Sequence, residues 1–289
     1  MPAAPRNQNI KMYSISRKIL QSLPSACPLC GLRARGSDLC PGCAQDLSSP
    51  LNKRARCRRC FEALGVPATT ATTATPVIQA LTEQALTEQA LPETPALAAD
   101  LTCSRCERRA PAYSSLLAAI DYAYPGDMLI QRFKEGARLA YAGLFARLLW
   151  ARLQSQATQC QANAPLGALV PIPSSQSALK RRGFNPAGEL ARELARLSGY
   201  PLRQEWLLRA RETPTQKTLN AQARRQSVRD LYACPNEVPR VWIGVVDDVV
   251  TTGSTMDTAA RALLSAGAAG VVGFAAAHTP RAWQNDAYD

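Results

Sequence analysis

Residues 245–255 read Val-Val-Asp-Asp-Val-Val-Thr-Thr-Gly-Ser-Thr, and apolar residues at helical spacing follow from Met256 to Ala266. The pattern predicts a buried strand that runs into two carboxylates, then a short loop rich in hydroxyl groups, then a helix. A helix N-terminus presents unpaired N–H groups and partial positive charge, so it suits a phosphate. Gly253 lets the backbone approach a ligand closely, and adjacent carboxylates can accept hydrogen bonds from vicinal hydroxyls. The stretch therefore predicts a ribose 5-phosphate site.

The same stretch resembles the PRPP-binding loop of type I phosphoribosyltransferases, which use phosphoribosyl pyrophosphate (PRPP). The shared pattern is an apolar run, two acidic residues and then T-x-G-x-T. The resemblance implies that Asp247 and Asp248 bind the ribose 2′ and 3′ hydroxyls. It also implies that the 5-phosphate lies on Thr251, Thr252, Gly253, Ser254 and Thr255. The alternative is an ordinary strand-to-helix turn, in which Ser254 or Thr255 only caps the helix.

Composition limits the classes of protein to be considered. The chain has 289 residues, a formal net charge of +12 and 46% hydrophobic residues, which indicates a globular main domain with a small additional module. No apolar run approaches the length of a membrane span, and no signal-peptide pattern follows the basic first residues. We therefore expect a cytoplasmic protein. The positive charge favours an anionic partner such as a nucleotide, a nucleic acid or a phosphorylated sugar.

Eight of the ten cysteines form four C-x-x-C pairs: Cys27/Cys30, Cys40/Cys43, Cys57/Cys60 and Cys103/Cys106. In a reducing compartment such pairs indicate metal binding or redox chemistry rather than structural disulfides. Two C-x-x-C turns can together supply the four thiolates of a tetrahedral zinc site. We expect two zinc ions, one in the first two pairs and one in the last two, with a crossed pairing as the alternative. A thioredoxin-like redox pair would need a strand–helix context that this region lacks.

A low-complexity segment separates the third and fourth pairs. Residues 79–93 repeat the pattern Gln-Ala-Leu-x-Glu, whose five-residue period belongs to neither helix nor strand, so we predict an exposed insertion at 62–101. The entropy cost of closing a loop grows slowly with its length, so the second site can form across the insertion. The predicted domains are an N-terminal helix at 1–22, a double zinc ribbon at 23–110 and a main domain at 111–289.

Basic residues crowd the third cysteine pair. Zinc would fix their backbone, so they are candidates for contacts with DNA phosphates. The candidates are Arg54, Arg56, Arg58 and Arg59. Few aromatic residues lie among them, which argues against base stacking. The alternative is a solvated basic surface without a partner.

The main domain alternates strand and helix patterns, which predicts an α/β fold with a mostly parallel sheet covered on both faces. We predict strands at 115–124, 169–173, 202–208, 241–246 and 270–277. We predict helices at 128–133, 139–153, 186–197 and 256–266. In such sheets ligands bind beyond the carboxyl ends of the strands, where the Asp pair lies. His278 follows the last strand, where it either approaches a base or lies on the surface.

Three further stretches, with the loop and the cysteine pairs, resemble the ComF family. They are Phe133-Lys134-Glu135-Gly136; Pro171-Ile172-Pro173 followed by Lys180–Asn185; and Arg211, Thr213, Gln216 and Leu219 with Arg224. One position departs from the family pattern, because Ser227 stands where an Asn is usual. The resemblance implies a type I phosphoribosyltransferase fold behind a double zinc ribbon. It also implies a role in using or importing DNA, as in natural competence.

The resemblance also suggests how the site works. Phosphoribosyl transfer needs charge to stabilise the departing pyrophosphate, so magnesium is expected to accompany PRPP. Arg181 and Arg182 are candidates to bind pyrophosphate, with Lys134 a weaker one and a solvated loop the alternative. The segment from Arg211 to Arg225 resembles a loop that closes over substrate. No catalytic residue is assigned.

Two functions stay open at this point. One is a ComF-like protein that binds PRPP or a nucleotide 5-phosphate and acts in DNA uptake or utilisation. Single-stranded DNA and DNA-uptake proteins are then the candidate partners. The other is an active phosphoribosyltransferase of nucleotide metabolism that has no role with DNA.

Overall fold

The structure is a computed structural model that describes residues 24–35, 39–67, 101–135, 139–157, 166–210 and 231–280. Several predictions therefore fall outside the described residues. These are the N-terminal helix at 1–22, the insertion from residue 68 to residue 100, Gly136 and the segment compared with a closing loop.

The N-terminal part repeats one arrangement, in which a short hairpin is followed by a helix. The first unit contains strands β1 (Pro24–Ala26) and β2 (Arg33–Arg35) and helix α1 (Pro41–Lys53). The second contains β3 (Arg54–Arg56), β4 (Ala63–Pro67) and the short helix α2 (Ser104–Arg108). Both hairpins are antiparallel. One C-x-x-C pair lies in each hairpin turn and the next pair at the start of the following helix, so each unit holds four cysteines.

The main domain begins with β5 (Ser115–Asp121), α3 (Gly126–Glu135), α4 (Leu139–Ala157) and β6 (Leu166–Pro171). It continues with α5 (Gln176–Arg182), α6 (Pro186–Ser198), β7 (Leu208–Arg209) and β8 (Tyr232–Ala233). It ends with β9 (Trp242–Val250), α7 (Ser254–Ser265) and β10 (Gly270–His278). The strands β7 and β8 form a small antiparallel pair of their own.

Four strands form a parallel sheet in the order β5-β10-β9-β6. Their apolar runs are buried because helices cover the sheet. The crossing from β5 to β6 and the crossing from β9 to β10 run in opposite directions along the sheet. Right-handed connections therefore place α4 and α7 on opposite faces. The predicted α/β fold with a mostly parallel sheet behind a cysteine module is confirmed.

Three local predictions need correction. Residues 202–208 do not form one strand: Leu202 makes a single bridge to Leu169, Gln204–Trp206 is a 3-10 helix, and only Leu208 belongs to a strand, β7. The segment after 169–173, for which the sequence pattern predicts a loop up to Asn185, contains α5, because the Ser175 side chain caps this helix by accepting from the N–H of Ala178 at 3.1 Å. The strand β4 lies inside the range predicted for the insertion, so the second hairpin extends to Pro67.

None of the helices in the described ranges combines the length and apolar character that a membrane crossing requires.

Candidate functional site: the Asp pair, the loop after β9 and two cysteine tetrads

Asp247 and Asp248 lie near the end of β9, which continues two residues beyond them to Val250. Asp247 is buried, and the N–H of Asp248 donates to its Oδ1 at 2.8 Å. The N–H of Val249 donates to Asp248 Oδ1 at 2.8 Å. Burial, and then the charge of Asp248, raise the pKa of Asp247 well above its usual range. The two carboxyl groups therefore lie side by side, where their oxygens can accept hydrogen bonds from the hydroxyls of a ligand.

The loop at residues 251–253, called here the 251–253 loop, turns the chain from β9 into α7. Gly253 caps the helix in the left-handed region, with φ 77° and ψ 4°. A Cβ at this position would lie 2.6 Å from the Tyr113 hydroxyl, so a side chain does not fit. The hydroxyls of Thr252 and Ser254 are 3.0 Å apart on exposed residues. Exposed hydroxyls and the N-terminus of a 12-residue helix therefore meet here, an arrangement that suits an anion.

Lys134 reaches the Asp pair from α3. Its Nζ lies 3.2 Å from Asp248 Oδ2. The ring of the preceding residue, Phe133, lies 6.1 Å from the ring of Phe184, which packs α3 against the segment after α5. The structure thus brings Lys134 next to the carboxylates predicted to bind ribose.

Arg181 and Arg182 occupy the last turn of α5, on the loop that follows β6. Asn185 holds this loop: its Nδ2 donates to the carbonyl of Ile172 at 3.0 Å, and its Oδ1 accepts from the Ser174 hydroxyl at 2.8 Å. Because β6 and β9 are parallel neighbours, this loop leaves the same edge of the sheet as the Asp pair. Contact between the two arginines and pyrophosphate stays a prediction.

The eight paired cysteines form two groups, in each of which the four sulfur atoms lie within 4.8 Å of one another. The first tetrad is Cys27, Cys30, Cys40 and Cys43, and the second tetrad is Cys57, Cys60, Cys103 and Cys106. The predicted sequential pairing is thereby confirmed over the crossed one. A Zn–S bond of about 2.3 Å in a tetrahedron puts sulfurs about 3.8 Å apart. The Sγ–Sγ distances of 3.6 Å for Cys30–Cys40 and for Cys60–Cys103 fit this geometry. Each tetrad could hold one zinc ion.

Each tetrad contains one cysteine with a lowered pKa. A hydrogen bond from the Cys60 thiol lowers the pKa of Cys57 to about 4, although burial opposes the change. Burial also opposes ionisation of Cys27, but backbone N–H groups, those of Cys30 and Cys40 foremost, lower its pKa to about 6. The thiolate is the form that binds metal. Each tetrad therefore offers a charged first ligand at neutral pH.

The second tetrad contacts the 251–253 loop. Arg105 lies between two of its cysteines, and its Nη2 donates to the carbonyl of Thr252 at 3.2 Å. A few residues further along the chain, the N–H of Ala112 donates to Asp257 Oδ1 at 2.6 Å, in the first turn of α7. The next residue, Tyr113, places its hydroxyl against Gly253. The cysteine module and the predicted phosphate site are therefore parts of one structure rather than separate modules.

The four candidate DNA-binding arginines do not share one surface. Arg56 forms a bidentate pair with Asp121, at 3.0 Å and 2.7 Å, and its guanidinium lies 5.4 Å from the centre of the Phe61 ring. The prediction that Arg56 faces DNA is therefore corrected, because a buried carboxylate at the end of β5 holds it inside the protein. Arg54 and Arg58 are exposed and Arg59 is half-buried, so these three residues remain candidates.

His278 is 2% exposed, so its interpretation as a surface histidine is wrong. Its ring packs edge-on against Phe61, with the ring centres 5.9 Å apart. It also lines a small cavity, open to solvent, with Cys60, Arg105, Tyr113 and the 251–253 loop. The residue therefore belongs to the junction between the second tetrad and the loop.

Sequence reasoning missed the roles of Arg105, Tyr113, Asp121 and Asp257. Two of them carry a usable signal. Arg105 lies inside a C-x-x-C turn, where metal ligands on both sides would fix its backbone. Asp257 stands in the first turn of α7, where an acidic residue is favoured by the helix dipole. Tyr113 and Asp121 act through long-range packing, for which a single sequence has no local signature.

Curated proteins from several bacteria are similar to this chain. It is 33% identical over 177 residues to the DNA utilization protein YhgH of Escherichia coli O157:H7, covering 61% of this chain and 78% of the relative. It is 31% identical over 168 residues to competence protein F of Haemophilus influenzae, covering 57% and 73%. It is 32% identical over 177 residues to YhgH of Salmonella typhimurium, covering 61% and 78%. No protein-family model matches the chain.

The similarity extends over more than three quarters of YhgH, and the structure joins paired cysteine tetrads to a parallel α/β sheet. The chain belongs to the ComF family.

Proposed function

We propose that the chain binds PRPP or a nucleotide 5-phosphate at residues 247–255 and acts in DNA uptake or utilisation. The observation that carries the binding proposal is the juxtaposition of two carboxyl groups near the end of β9 with the N-terminus of α7, which no side chain caps. Carboxylates select hydroxyls, and a helix N-terminus selects an anion. Ribose 5-phosphate carries both groups on one small ring.

Each part of the ligand has a candidate partner. Asp247 and Asp248 bind the ribose hydroxyls, and residues 251–255 bind the 5-phosphate through N–H groups and hydroxyls. Arg181 and Arg182 bind pyrophosphate, since guanidinium groups pair well with phosphate oxygens. Lys134 already neutralises Asp248 at 3.2 Å, so pyrophosphate must compete with this carboxylate for its ammonium group. Magnesium, bound together with PRPP, would supply further positive charge to the leaving group.

The role with DNA is supported by the relatives, which are named for DNA utilisation and competence. The net charge of +12 and the exposed arginines beside the second tetrad suit phosphate contacts with single-stranded DNA. DNA-uptake proteins are the further partners proposed, and the cytoplasm is the proposed compartment.

The second candidate function is phosphoribosyl transfer in nucleotide metabolism. The Asp pair and the 251–253 loop favour it, because they would hold PRPP in the same way during turnover. Release of pyrophosphate from PRPP and magnesium, measured with a series of nucleobases as acceptors, distinguishes the two. Turnover with one base supports the enzyme, and binding without turnover supports a PRPP-binding protein.

We propose zinc in both tetrads. The donor sets are four sulfurs each, with one thiolate available at neutral pH. Metal analysis of protein purified under reducing conditions should find two zinc ions per chain. A value of one would leave a tetrad without a metal role, and a value near zero would contradict both sites.

Calorimetric titration with PRPP and magnesium tests the binding site. The double substitution Asp247→Asn and Asp248→Asn should abolish measurable binding and leave the fold intact, because paired carboxylates repel each other and their neutral isosteres do not. Glu189→Gln is the control, since this carboxylate lies on α6 and pairs with Arg192. Equal affinity in the wild type and the double variant would show that these carboxylates do not bind the ribose.

A further inference from the structure

Residues 105–113, in and just after the second tetrad, make two contacts with the 251–253 loop and one with the first turn of α7. Arg105 donates to the carbonyl of Thr252 at 3.2 Å, the Tyr113 hydroxyl lies beside Gly253, and Ala112 donates to Asp257 at 2.6 Å. These contacts lie before, at and after the turn into α7. They therefore act on the segment whose N–H groups and hydroxyls the proposed function assigns to the 5-phosphate.

The metal site determines where these contacts can form. Arg105 belongs to α2, which has only five residues and includes the ligand Cys106. A helix this short is not stable by itself in water, so the sulfurs on either side of Arg105 must hold it. The N–H of Cys103 donates to Cys57 Sγ at 3.3 Å, which joins the start of α2 to the second hairpin. Loss of metal would release α2 and, with it, the guanidinium on Thr252.

The first tetrad provides an internal comparison. It has the same ligand chemistry, but its hairpin contacts α3, where Arg132 donates to the carbonyl of Pro28. The second tetrad is instead packed beside the loop and the end of β10, where Cys60 and His278 line the same cavity. Two similar sites should thus differ in their effect on the loop.

We propose that the second tetrad, through Arg105 and Tyr113 as positioning residues, orders the 251–253 loop for a sugar 5-phosphate. Zinc in this tetrad and a ligand on the loop then stabilise each other, because coupling between two binding sites is reciprocal. The inference rests on the proposed function for the identity of the ligand. Its structural part, the ordering of the loop, does not.

Hydrogen–deuterium exchange of the peptide covering residues 249–256 tests the ordering without any ligand. Cys103→Ser, which removes one ligand of the second tetrad, should increase deuterium uptake in this peptide. Cys30→Ser, which makes the same change in the first tetrad, should leave the uptake unchanged. Equal uptake in Cys103→Ser and wild type, or equal increases in both variants, would overturn the proposal.

Arg105→Ala keeps the test informative if Cys103→Ser does not fold, since all eight cysteines remain. Zinc content should stay at the wild-type value while uptake in the 249–256 peptide rises. Arg108→Ala, an exposed arginine on the same helix, is the matched control and should behave like wild type. Unchanged uptake in Arg105→Ala would remove this residue from the positioning role and overturn the inference.

A ligand experiment separates this inference from the proposed function. The affinity for PRPP should fall about 5-fold or more in Arg105→Ala, the lower range of typical coupling between sites, and should partly recover in Arg105→Lys. A wild type that binds no PRPP contradicts the proposed function and leaves the exchange experiment to decide the ordering. Equal PRPP affinity in wild type and Arg105→Ala contradicts the coupling alone.

Discussion

Two acidic sites lie at the carboxyl edge of the same sheet, and each has a cation beside it. Asp121, at the end of β5, receives two hydrogen bonds from Arg56, and the two side chains are only 10% and 13% exposed. Asp248, near the end of β9, has a single contact of 3.2 Å with Lys134, and these side chains are 18% and 26% exposed. The first pair is geometrically complete, whereas the second leaves carboxylate oxygens open to a ligand.

The difference shows how one kind of interaction serves two purposes. Arg56 belongs to the second hairpin and Asp121 to the main sheet, so their pair joins the two modules. Burial, and then the charge of Arg56, lower the pKa of Arg152 to about 10, an effect that Asp121 opposes. Asp121 therefore balances two guanidinium groups. At β9, by contrast, two carboxyl groups share one lysine, so that site holds an excess of negative groups that favours binding over stability.

The largest expected effect is the loss of stability on substitution of Asp121. Asp121→Ala leaves Arg56 without its carboxylate partner. Breaking a fully buried pair in this way costs about 3–5 kcal/mol in the free energy of unfolding, which is the upper bound for these side chains of 10% and 13% exposure. Glu189→Ala breaks the exposed pair with Arg192 and should cost less than about 1 kcal/mol. Denaturant unfolding measures both. Similar losses in the two variants would show that the Asp121 pair is no more than a surface contact.

A smaller change in stability, of the opposite sign, is expected on substitution of Asp247. Its pKa is raised in the folded state, so below about pH 4, near the ordinary pKa of Asp, its carboxyl group is protonated in both states and has no effect on stability. As the pH rises from there towards the folded pKa, the unfolded state gains by ionising and the folded protein loses stability. Asp247→Asn does not ionise, so it should be more stable than wild type at pH 7.

Thermal unfolding of wild type and Asp247→Asn between pH 4 and pH 7 measures this difference. The gap between the two curves should widen as the pH rises. A variant that is less stable than wild type at pH 7 would contradict the assignment of Asp247 as a carboxyl group kept for ligand binding at the expense of stability.

The smallest effect is expected on DNA binding, from the arginines near Arg56 that remain candidates for phosphate contacts. If Arg54, Arg58 and Arg59 each contact a phosphate, replacing all three by Ala should lower the salt dependence of binding to single-stranded DNA, on a log–log scale, by about 2, at about 0.7 per contact. Fluorescence anisotropy at several salt concentrations measures this slope. Affinity for PRPP should not change. An unchanged slope would identify these arginines as a solvated surface.

The local parts of the site could be predicted from the sequence because their chemistry is local. The apolar run before Asp247, the glycine at the helix cap and the C-x-x-C spacing each reflect contacts within a few residues. The strand predicted at 202–208 was wrong because its apolar residues pack beside β6 through one bridge at Leu202 and not along a ladder. Propensity alone does not distinguish these two outcomes.

The contacts between the cysteine module and the main domain could not be predicted, because their partners are far apart in the sequence. Arg56 meets Asp121, and Arg105 meets Thr252, across 65 and 147 residues of chain respectively. A run of arginines has the same pattern whether one of them points into the protein or all of them point to solvent. Only the packing of the second hairpin on β5 makes this distinction.

We infer that the N-terminus of α7 and the 251–253 loop hold a sugar 5-phosphate. Amide resonances of ¹⁵N-labelled protein, followed during titration with ribose 5-phosphate, test it most directly. We expect the amide resonances of Gly253 and Ser254 to shift on binding, with the dissociation constant that calorimetry gives for ribose 5-phosphate, and we expect no shifts in the Asp247→Asn, Asp248→Asn variant. Saturable binding of ribose 5-phosphate by calorimetry that leaves both amide resonances unmoved would contradict this assignment of the phosphate site.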